Sequence, residues 1–192
     1  MTSSFAAPPW DEPLDVDAVL RKIPPGETIK GMFPAAVVAG ASGKGVTLPG
    51  ARERYVAFQD YPLREHAELL VAGASAIYPG KTIREGLRRL GRHAHATLVD
   101  STIGRVLWAA VDDAPGALSA MTKAYAIAHP RSEVSVTAVG DRFAEVRLAH
   151  IGWFLDCHHV GCFEGALKAV GVEATIAIRT EGASAAAFRC SW

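Results

Sequence analysis

The chain has 192 residues, of which 49% are hydrophobic, and its 20 Lys plus Arg balance its 20 Asp plus Glu. This length and composition fit one domain with a substantial core. The zero net charge excludes a general attraction to nucleic acid or acidic lipid, and no apolar run reaches the roughly 20 residues of a membrane-spanning helix. We therefore expect no nucleic-acid partner and no membrane span.

The first 13 residues, MTSSFAAPPWDEP, mix Ser, Ala and Pro with a single Trp10. This composition favours a flexible N-terminal arm, unless the Trp docks on the body. The stretch lacks the basic start and the long apolar segment of a secretory signal, and three cysteines do not form the even set of a secreted disulfide framework. We therefore predict a cytoplasmic location, reduced thiols, and one domain over residues 14–192.

Residues 14–129 show mainly helical patterns. The segment LDVDAVLRKI predicts a short helix that ends at Pro24, because proline lacks a backbone donor and clashes with the preceding turn. A second short helix is predicted from Ile29. The glycine-rich stretch that follows is predicted to be a loop, and its Lys44 lacks the spacing and the adjacent hydroxyl of a phosphate-binding loop.

Apolar residues then recur at three- and four-residue steps, which is typical of amphipathic helices. One such helix is predicted from Pro62 to Tyr78, and a long one begins at Thr82 as its cap. A further apolar stripe follows, and a last helix is predicted from Pro115 to about His129. The helical part of the domain is therefore residues 14–129.

After residue 132 the apolar residues alternate, as they do in strands. Two hairpins are predicted, with turns at Gly140-Asp141 and at residues 181–182, separated by a helix over about residues 157–170. We assign Asp156 as the cap of that helix, and we expect Gly161 and Gly165 to let it approach the sheet closely. The predicted class is α+β: an N-terminal helical layer packed on a C-terminal antiparallel sheet, residues 132–192, of hairpin-helix-hairpin order.

Four potential metal ligands, Cys157, His158, His159 and Cys162, lie within six positions at the start of this helix. Thiolate and imidazole are the preferred ligands of zinc. On a continuous helix, however, His158 and Cys162 share a face while His159 points away from Cys157, so that at most two or three ligands converge. We favour packing and no metal, and we keep a zinc or redox-responsive site at these four residues as the alternative.

A basic face is formed by Lys81, Arg84, Arg88 and Arg92, which recur at helical spacing. Such a face could contact phosphates or an acidic partner. Because Glu85 lies among these residues and the opposite side is apolar, we predict a solvated helix face. No nucleophile motif such as Gly-x-Ser-x-Gly is present in the sequence, so we identify no catalytic residue and do not expect an enzyme.

Several segments together resemble a paralogous family of uncharacterised proteins of about this length in myxobacteria. The segments are IKGMFP, YVAFQDYPLREHAELLVAGASAIYPG, EGLRRLGRHAHATLVDSTIGRVL and GCFEGALKAVGVEATIAIRTEG. The C-terminal half is also similar, more distantly, to the 4-vinyl-reductase domain, the TRAPP-subunit fold and the haem-NO-binding domains. This resemblance implies a ligand-sensing or protein-docking module, because those relatives bind haem, small apolar molecules, acyl chains or partner subunits.

The resemblance also bears on cofactors. Haem-binding relatives hold the haem with a proximal His and a Tyr-x-Ser-x-Arg motif, which the segment HPRSEVSV does not contain, and the end AFRCSW departs from the terminal Cys-x-Phe of the 4-vinyl-reductase domain. We therefore predict no cofactor, do not expect haem, and leave the cofactor-binding residues open. The predicted function is a non-enzymatic cytoplasmic module that binds a small apolar ligand or a protein partner, and a homodimer through a helical face is consistent with it.

Overall fold

The computed structural model describes residues 4–192, and their fold is α+β, as the sequence predicts. The helices are α1 (Val16–Arg21), α2 (Met32–Ser42), α3 (Leu63–Ile77), α4 (Ile83–Asp100), α5 (Thr102–Trp108), α6 (Ala114–Ala128) and α7 (His158–Ala169). The strands are β1 (Thr28–Lys30), β2 (Asp60–Pro62), β3 (Glu133–Gly140), β4 (Phe143–Ala149), β5 (Thr175–Thr180) and β6 (Ala185–Ser191). Within residues 4–192, no helix is both long and apolar enough to cross a bilayer.

The main sheet is antiparallel with the strand order β3-β4-β6-β5, so both predicted hairpins are confirmed. Val146 on β4 pairs with Phe188 on β6, which in turn pairs with Ile178 on β5. Because side chains alternate along a strand, these three residues point to one face, and all three are buried. The ring of Phe163 on α7 lies 4.9 Å from that of Phe188, so α7 covers this face.

The predicted helix from Ile29 is wrong at its start. Ile29 belongs to β1, which pairs antiparallel with β2 through Ile29 and Tyr61, and α2 begins only at Met32. The partner strand lies about thirty positions further along the chain. Its backbone hydrogen bonds pair the groups around Ile29, and a local sequence pattern does not contain this distant partner. The predicted loop after α2 is confirmed as irregular chain up to β2.

Helices α4 and α7 cross at almost backbone-to-backbone distance. A Cβ atom on Gly161 would overlap the carbonyl oxygen of Arg88, and one on Gly91 would overlap the carbonyl oxygen of His158. A Cβ on Gly165 would lie 3.0 Å from Cβ of His95. These glycines therefore bring α7 close to α4, and the expectation that Gly161 and Gly165 approach the sheet is wrong.

The described residues of the N-terminal arm, for which the composition favours a flexible segment, have specific contacts with the domain. Ala6 exchanges two backbone hydrogen bonds with Ile178, of 2.9 and 2.8 Å, and so continues the sheet beyond β5. The ring of Trp10 lies under the guanidinium group of Arg88, with 4.4 Å between the guanidinium carbon and the ring centroid. The arm thus covers the surface where α4 meets α7.

Candidate functional site

Five histidines are buried in the described chain, and none is more than 4% exposed. They come from distant parts of the chain: α3, α4, the end of α6, and the start of α7. They are His66, His95, His129, His158 and His159. Buried histidines are uncommon, and five in one chain of this size mark this region as the candidate site.

An indole lies at the centre of four of these imidazoles. Trp153, from the connection between β4 and α7, has its ring centroid 4.5 Å from that of His159 and 5.4 Å from that of His158. The rings of His66 and His129 lie at 6.1 and 6.5 Å. We call these four histidines together with Trp153 the histidine cluster.

Two imidazoles of the cluster are held by hydrogen bonds. Nδ1 of His159 lies 2.7 Å from the hydroxyl oxygen of Tyr125, and Nδ1 of His158 lies 3.3 Å from the carbonyl oxygen of Leu87, to which it donates as an N–H group. The first contact fixes the ring of His159 from α6, and the second ties His158 to α4. Both rings are therefore positioned before any ligand arrives.

Several nitrogens of the cluster are unpaired. Among residues 4–192, no partner in hydrogen-bonding geometry is found for Nδ1 of His66, either ring nitrogen of His129, Nε2 of His159, or Nε1 of Trp153. Nε2 of His129 comes within 3.4 Å of a carboxylate oxygen of Glu27 without forming a hydrogen bond. Native proteins pair nearly all buried polar atoms, so a group of such nitrogens indicates a place where a ligand or water binds.

The buried imidazoles are neutral. Burial, with a smaller effect of the neighbouring His158, lowers the pKa of His66 to about 3. Burial also lowers the pKa of His158 and of His95 to about 4. A neutral imidazole has one nitrogen with a lone pair, which is the form that binds metals and accepts hydrogen bonds.

A cavity of about 60 Å³ adjoins the cluster. Histidines line one side, and apolar side chains from α2, α4 and α6 line the other, among them Phe33, Leu98 and Met121. Sites for small molecules usually measure about 300–1,000 Å³, so this cavity has room for very few atoms while Trp153 is in place.

The connection that carries Trp153 is conformationally strained. His150 has φ 60° and Phe154 has φ 46°, so a non-glycine residue adopts the left-handed conformation on each side of the indole. Such residues cost free energy and tend to occur at functional sites. Strain of this kind distinguishes the connection from an ordinary strand-to-helix turn.

The four residues considered for zinc do not share one site. His158, His159 and Cys162 line one cavity, whereas Cys157 does not line it and its Sγ lies 3.7 Å from the carbonyl oxygen of Phe154. Burial raises the pKa of the Cys162 thiol to about 12 and raises that of Cys157, so both are protonated and are poor metal ligands or redox nucleophiles. In the described part of the chain, no three His, Cys, Asp or Glu side chains are arranged to hold a metal ion.

The predicted solvated basic face is wrong for Arg84 and Arg88, whereas Arg92 is exposed. Arg84 is 8% exposed and is paired with Asp156. Arg88 and Arg92 both bind the carboxylate of Glu164 on α7, at 2.5 Å and 2.8 Å. The assignment of Asp156 as a helix cap is also wrong, because its carboxylate is taken by Arg84 and Cys157 occupies the cap position.

Lys81, the remaining member of the basic face, is exposed. Arg88 and Arg92 therefore clamp α4 to α7 through Glu164, while Lys81 and part of Arg92 face the solvent. This clamp holds the two helices from which His95, His158 and His159 project.

Sequence reasoning missed His66, His129 and Trp153 as site residues. His66 lies in the apolar stripe of α3 between Leu63 and Leu70, both of which are 1% exposed. A histidine in a core position is the signal that could have identified it. For Trp153 no local signal exists, because its position depends on the left-handed residues on either side.

The fold is that of the H-NOX domains. An H-NOX protein from S. oneidensis in the Fe(II)NO state has a TM-score of 0.63 at 13% identity, with 85% of this chain and 98% of that chain covered. An oxygen-binding H-NOX domain related to soluble guanylate cyclases has a TM-score of 0.60 at 14% identity, covering 83% and 89%. At such identities the likeness shows the fold alone, and it confirms the distant resemblance to haem-NO-binding domains at that level.

The chain belongs to the family DUF2378, described as a protein of unknown function, whose model matches residues 22–192. No curated protein matches the chain in sequence. Family and fold together define a DUF2378 chain with the H-NOX architecture.

The prediction of no cofactor, with haem not expected, is wrong. That prediction was based on a missing motif. A structure described under haem redox potential and protein-induced porphyrin distortion shares the fold, with a TM-score of 0.62 at 15% identity. The match covers 84% of this chain and 97% of that one. The donor atoms of the histidine cluster fit haem, since neutral imidazole is a common ligand of haem iron. The cavity volume of about 60 Å³ does not fit a porphyrin while the indole of Trp153 stays in place.

Proposed function

We propose that the chain is a non-enzymatic sensor module that binds a small ligand at the histidine cluster. The observation that carries this proposal is the set of unpaired nitrogens around Trp153 beside an apolar cavity, as found within residues 4–192. Leaving buried polar atoms unpaired costs about 1–3 kcal/mol each, so a ligand that pairs them gains affinity from groups that are already in position. The H-NOX fold supports the same reading.

Haem is the first ligand to test, because a fold neighbour binds it. His159 is the residue that would hold the iron: when its Nδ1–H donates to the Tyr125 oxygen, the lone pair lies on Nε2, the nitrogen without a protein partner in the described chain. His66 and His129 also have nitrogens without a hydrogen-bond partner in residues 4–192, although Nε2 of His129 lies 3.4 Å from the carboxylate of Glu27. A bound haem would supply an iron with a position for a second small ligand.

The test is a titration of the purified chain with haemin, followed by absorbance. We expect a stoichiometric Soret band in the wild type that shifts or is lost in His159→Ala. His93→Ala is the matched control, since His93 is an exposed histidine on α4. Native mass spectrometry of the freshly purified chain would identify any other bound small molecule. A chain that binds neither haemin nor any co-purified molecule would contradict the proposal.

Docking of a protein partner is a second candidate function. Phe58 and Val106 are apolar side chains that are 48% and 74% exposed, and the surface around Phe58 is the one to test for a contact. Analytical ultracentrifugation of the wild type and of Phe58→Ser would test whether this surface forms a homodimer. The cytoplasmic location and the likeness to 4-vinyl-reductase and TRAPP domains stay predictions.

A further inference from the structure

A groove lies on the surface between the C-terminal halves of α4 and α7. Its volume is about 310 Å³, which is within the range of about 300–1,000 Å³ that is usual for small-molecule sites. Arg92, Ala96 and Val99 line it from α4, at the three- and four-residue steps that place side chains along one helix face. Gly165 and Ala169 line it from α7. These small side chains leave the space open, and we call it the α4–α7 groove.

The groove is distinct from the cavity beside the histidine cluster. Of the residues that line the two spaces, only His95 is common to both. His95 is 4% exposed, and its Nε2 has no hydrogen-bond partner within residues 4–192. The wall between the two spaces thus contains an unpaired polar atom, which is a feature of places where a ligand or water binds. The groove is therefore a second candidate site, and binding there requires no movement of Trp153.

Two cations lie at one end of the groove. Arg92 and Lys168 line both the groove and a polar recess of about 160 Å³ next to it. In the described chain, Arg92 donates to Glu164 through Nε at 2.8 Å, and no ion pair involves its two terminal nitrogens or Lys168. The carboxylate of Glu164 also accepts hydrogen bonds from Arg88. The donors that remain available at this end are thus positively charged, and they match an anionic group.

Carboxylates on both sides of these cations limit the ligand to a single negative charge. Asp100 lines the other end of the groove, eight positions after Arg92, which is about 12 Å along the helix. Glu173 lines the polar recess but not the groove. Repulsion between like charges disfavours a second anionic group at either place, and it disfavours a phosphate, which carries up to two negative charges.

We infer that the α4–α7 groove binds a small monocarboxylate, with its carboxylate between Arg92 and Lys168 and its uncharged apolar body along the groove. Ala96, Val99 and Ala169 contact that body. Arg92 belongs to α4 and Lys168 to α7, so the carboxylate bridges the two helices next to their arginine clamp. This inference does not depend on a ligand at the histidine cluster.

Amide NMR of the isotope-labelled 192-residue chain tests the recognition of charge. The probes are phenylpropionate, its neutral amide phenylpropionamide, and the dicarboxylate that carries a second carboxyl group at the para position of the ring. We expect saturable shifts at residues of α4 and α7 with a Kd of about 1 mM for phenylpropionate. The amide, the dicarboxylate and inorganic phosphate should bind about 10-fold more weakly. Asp100→Asn should bring the affinity for the dicarboxylate close to that for phenylpropionate.

Variants at exposed positions test the two parts of the site. Lys168→Ala should weaken phenylpropionate binding about 10-fold, whereas Lys168→Arg, which keeps the charge, should retain it. Ala96→Leu should weaken binding because its side chain fills the groove while both cations remain. Lys123→Ala is the matched control, since Lys123 is an exposed lysine on α6, and we expect the wild-type affinity there. Because Lys168, Ala96 and Lys123 are all exposed, we expect these variants to fold.

Several results would overturn this inference. One is the absence of saturable shifts in the wild type at about ten times the expected Kd. Another is equal affinity for the amide, the phosphate and phenylpropionate, since the groove would then not recognise a carboxylate on an apolar body. A third is a Lys168→Ala variant that binds as tightly as Lys123→Ala. His159→Ala should bind phenylpropionate like the wild type, so this result and the haemin titration separate the two sites.

Discussion

Acidification from pH 7 to pH 5 is expected to destabilise the fold through its buried histidines. Their pKa is about 3 for His66 and about 4 for His95 and His158, against 6.5 as the ordinary value, so the unfolded chain binds more protons below pH 6.5. The folded state therefore keeps its full free energy of unfolding above pH 6.5. It loses part of this free energy progressively as the pH falls from 6.5 toward the folded pKa values of about 3 to 4. Each histidine contributes about 1.4 kcal/mol per pH unit, hence about 2 kcal/mol at pH 5 and about 6 kcal/mol for the three.

A loss of about 6 kcal/mol is of the same size as the whole stability of a typical domain, about 5–15 kcal/mol. Urea unfolding followed by far-UV circular dichroism at pH 7, 6 and 5 measures it. His95→Leu should reduce the slope of the unfolding free energy with pH by the share of one buried histidine, about 1.4 kcal/mol per pH unit, whereas His93→Leu, at an exposed position of the same helix, should leave the slope unchanged. Equal slopes in the two variants, or a stability that does not change between pH 7 and 5, would refute the reasoning.

Three further predictions concern the frame of the site. Gly161→Ala should lower the unfolding free energy by about 1–3 kcal/mol in urea, because its Cβ overlaps the Arg88 carbonyl, whereas Gly43→Ala, with its nearest atom at 3.5 Å, should be neutral or stabilising. Glu164→Gln removes the carboxylate shared by two arginines and should cost about 1–3 kcal/mol by the same measurement, less at high salt. The Cys162 thiol, with its pKa raised to about 12 by burial, should react with a thiol reagent at pH 8 only after denaturant is added.

The elements of the fold could be predicted because they depend on local patterns. The Thr82 cap accepts a hydrogen bond from the backbone N–H of Glu85, as its position at the start of α4 predicts. The turn after Gly140 joins β3 and β4 as predicted, although the pairing register shifts between Val136 and Ala138. Asp156 failed as a cap because Arg84, 72 positions away, binds its carboxylate, and no local pattern contains that contact.

The candidate site could be predicted only in part, for the same reason. His158 and His159 attracted attention because they are adjacent to two cysteines, but their partners are Leu87 and Tyr125, on other helices. The cluster exists because α3, α6 and the β4–α7 connection converge on one point. Such convergence is a property of tertiary packing. In the sequence, the site residues therefore lie within separate apolar helix patterns that are typical of an ordinary hydrophobic core.

The clamp between α4 and α7 explains how a strained, incompletely paired cluster can persist in a folded chain. Unpaired nitrogens at about 1–3 kcal/mol each would consume much of a domain's stability unless neighbouring contacts offset them. The glycine crossing and the arginine pairs provide those contacts next to the cluster. Asp156 belongs to the connection that carries Trp153, and Arg84, its partner, also donates a 3.1 Å hydrogen bond to the carbonyl oxygen of Glu12 in the N-terminal arm. Arg84 therefore links the connection that carries Trp153 to the N-terminal arm, next to the crossing of α4 and α7.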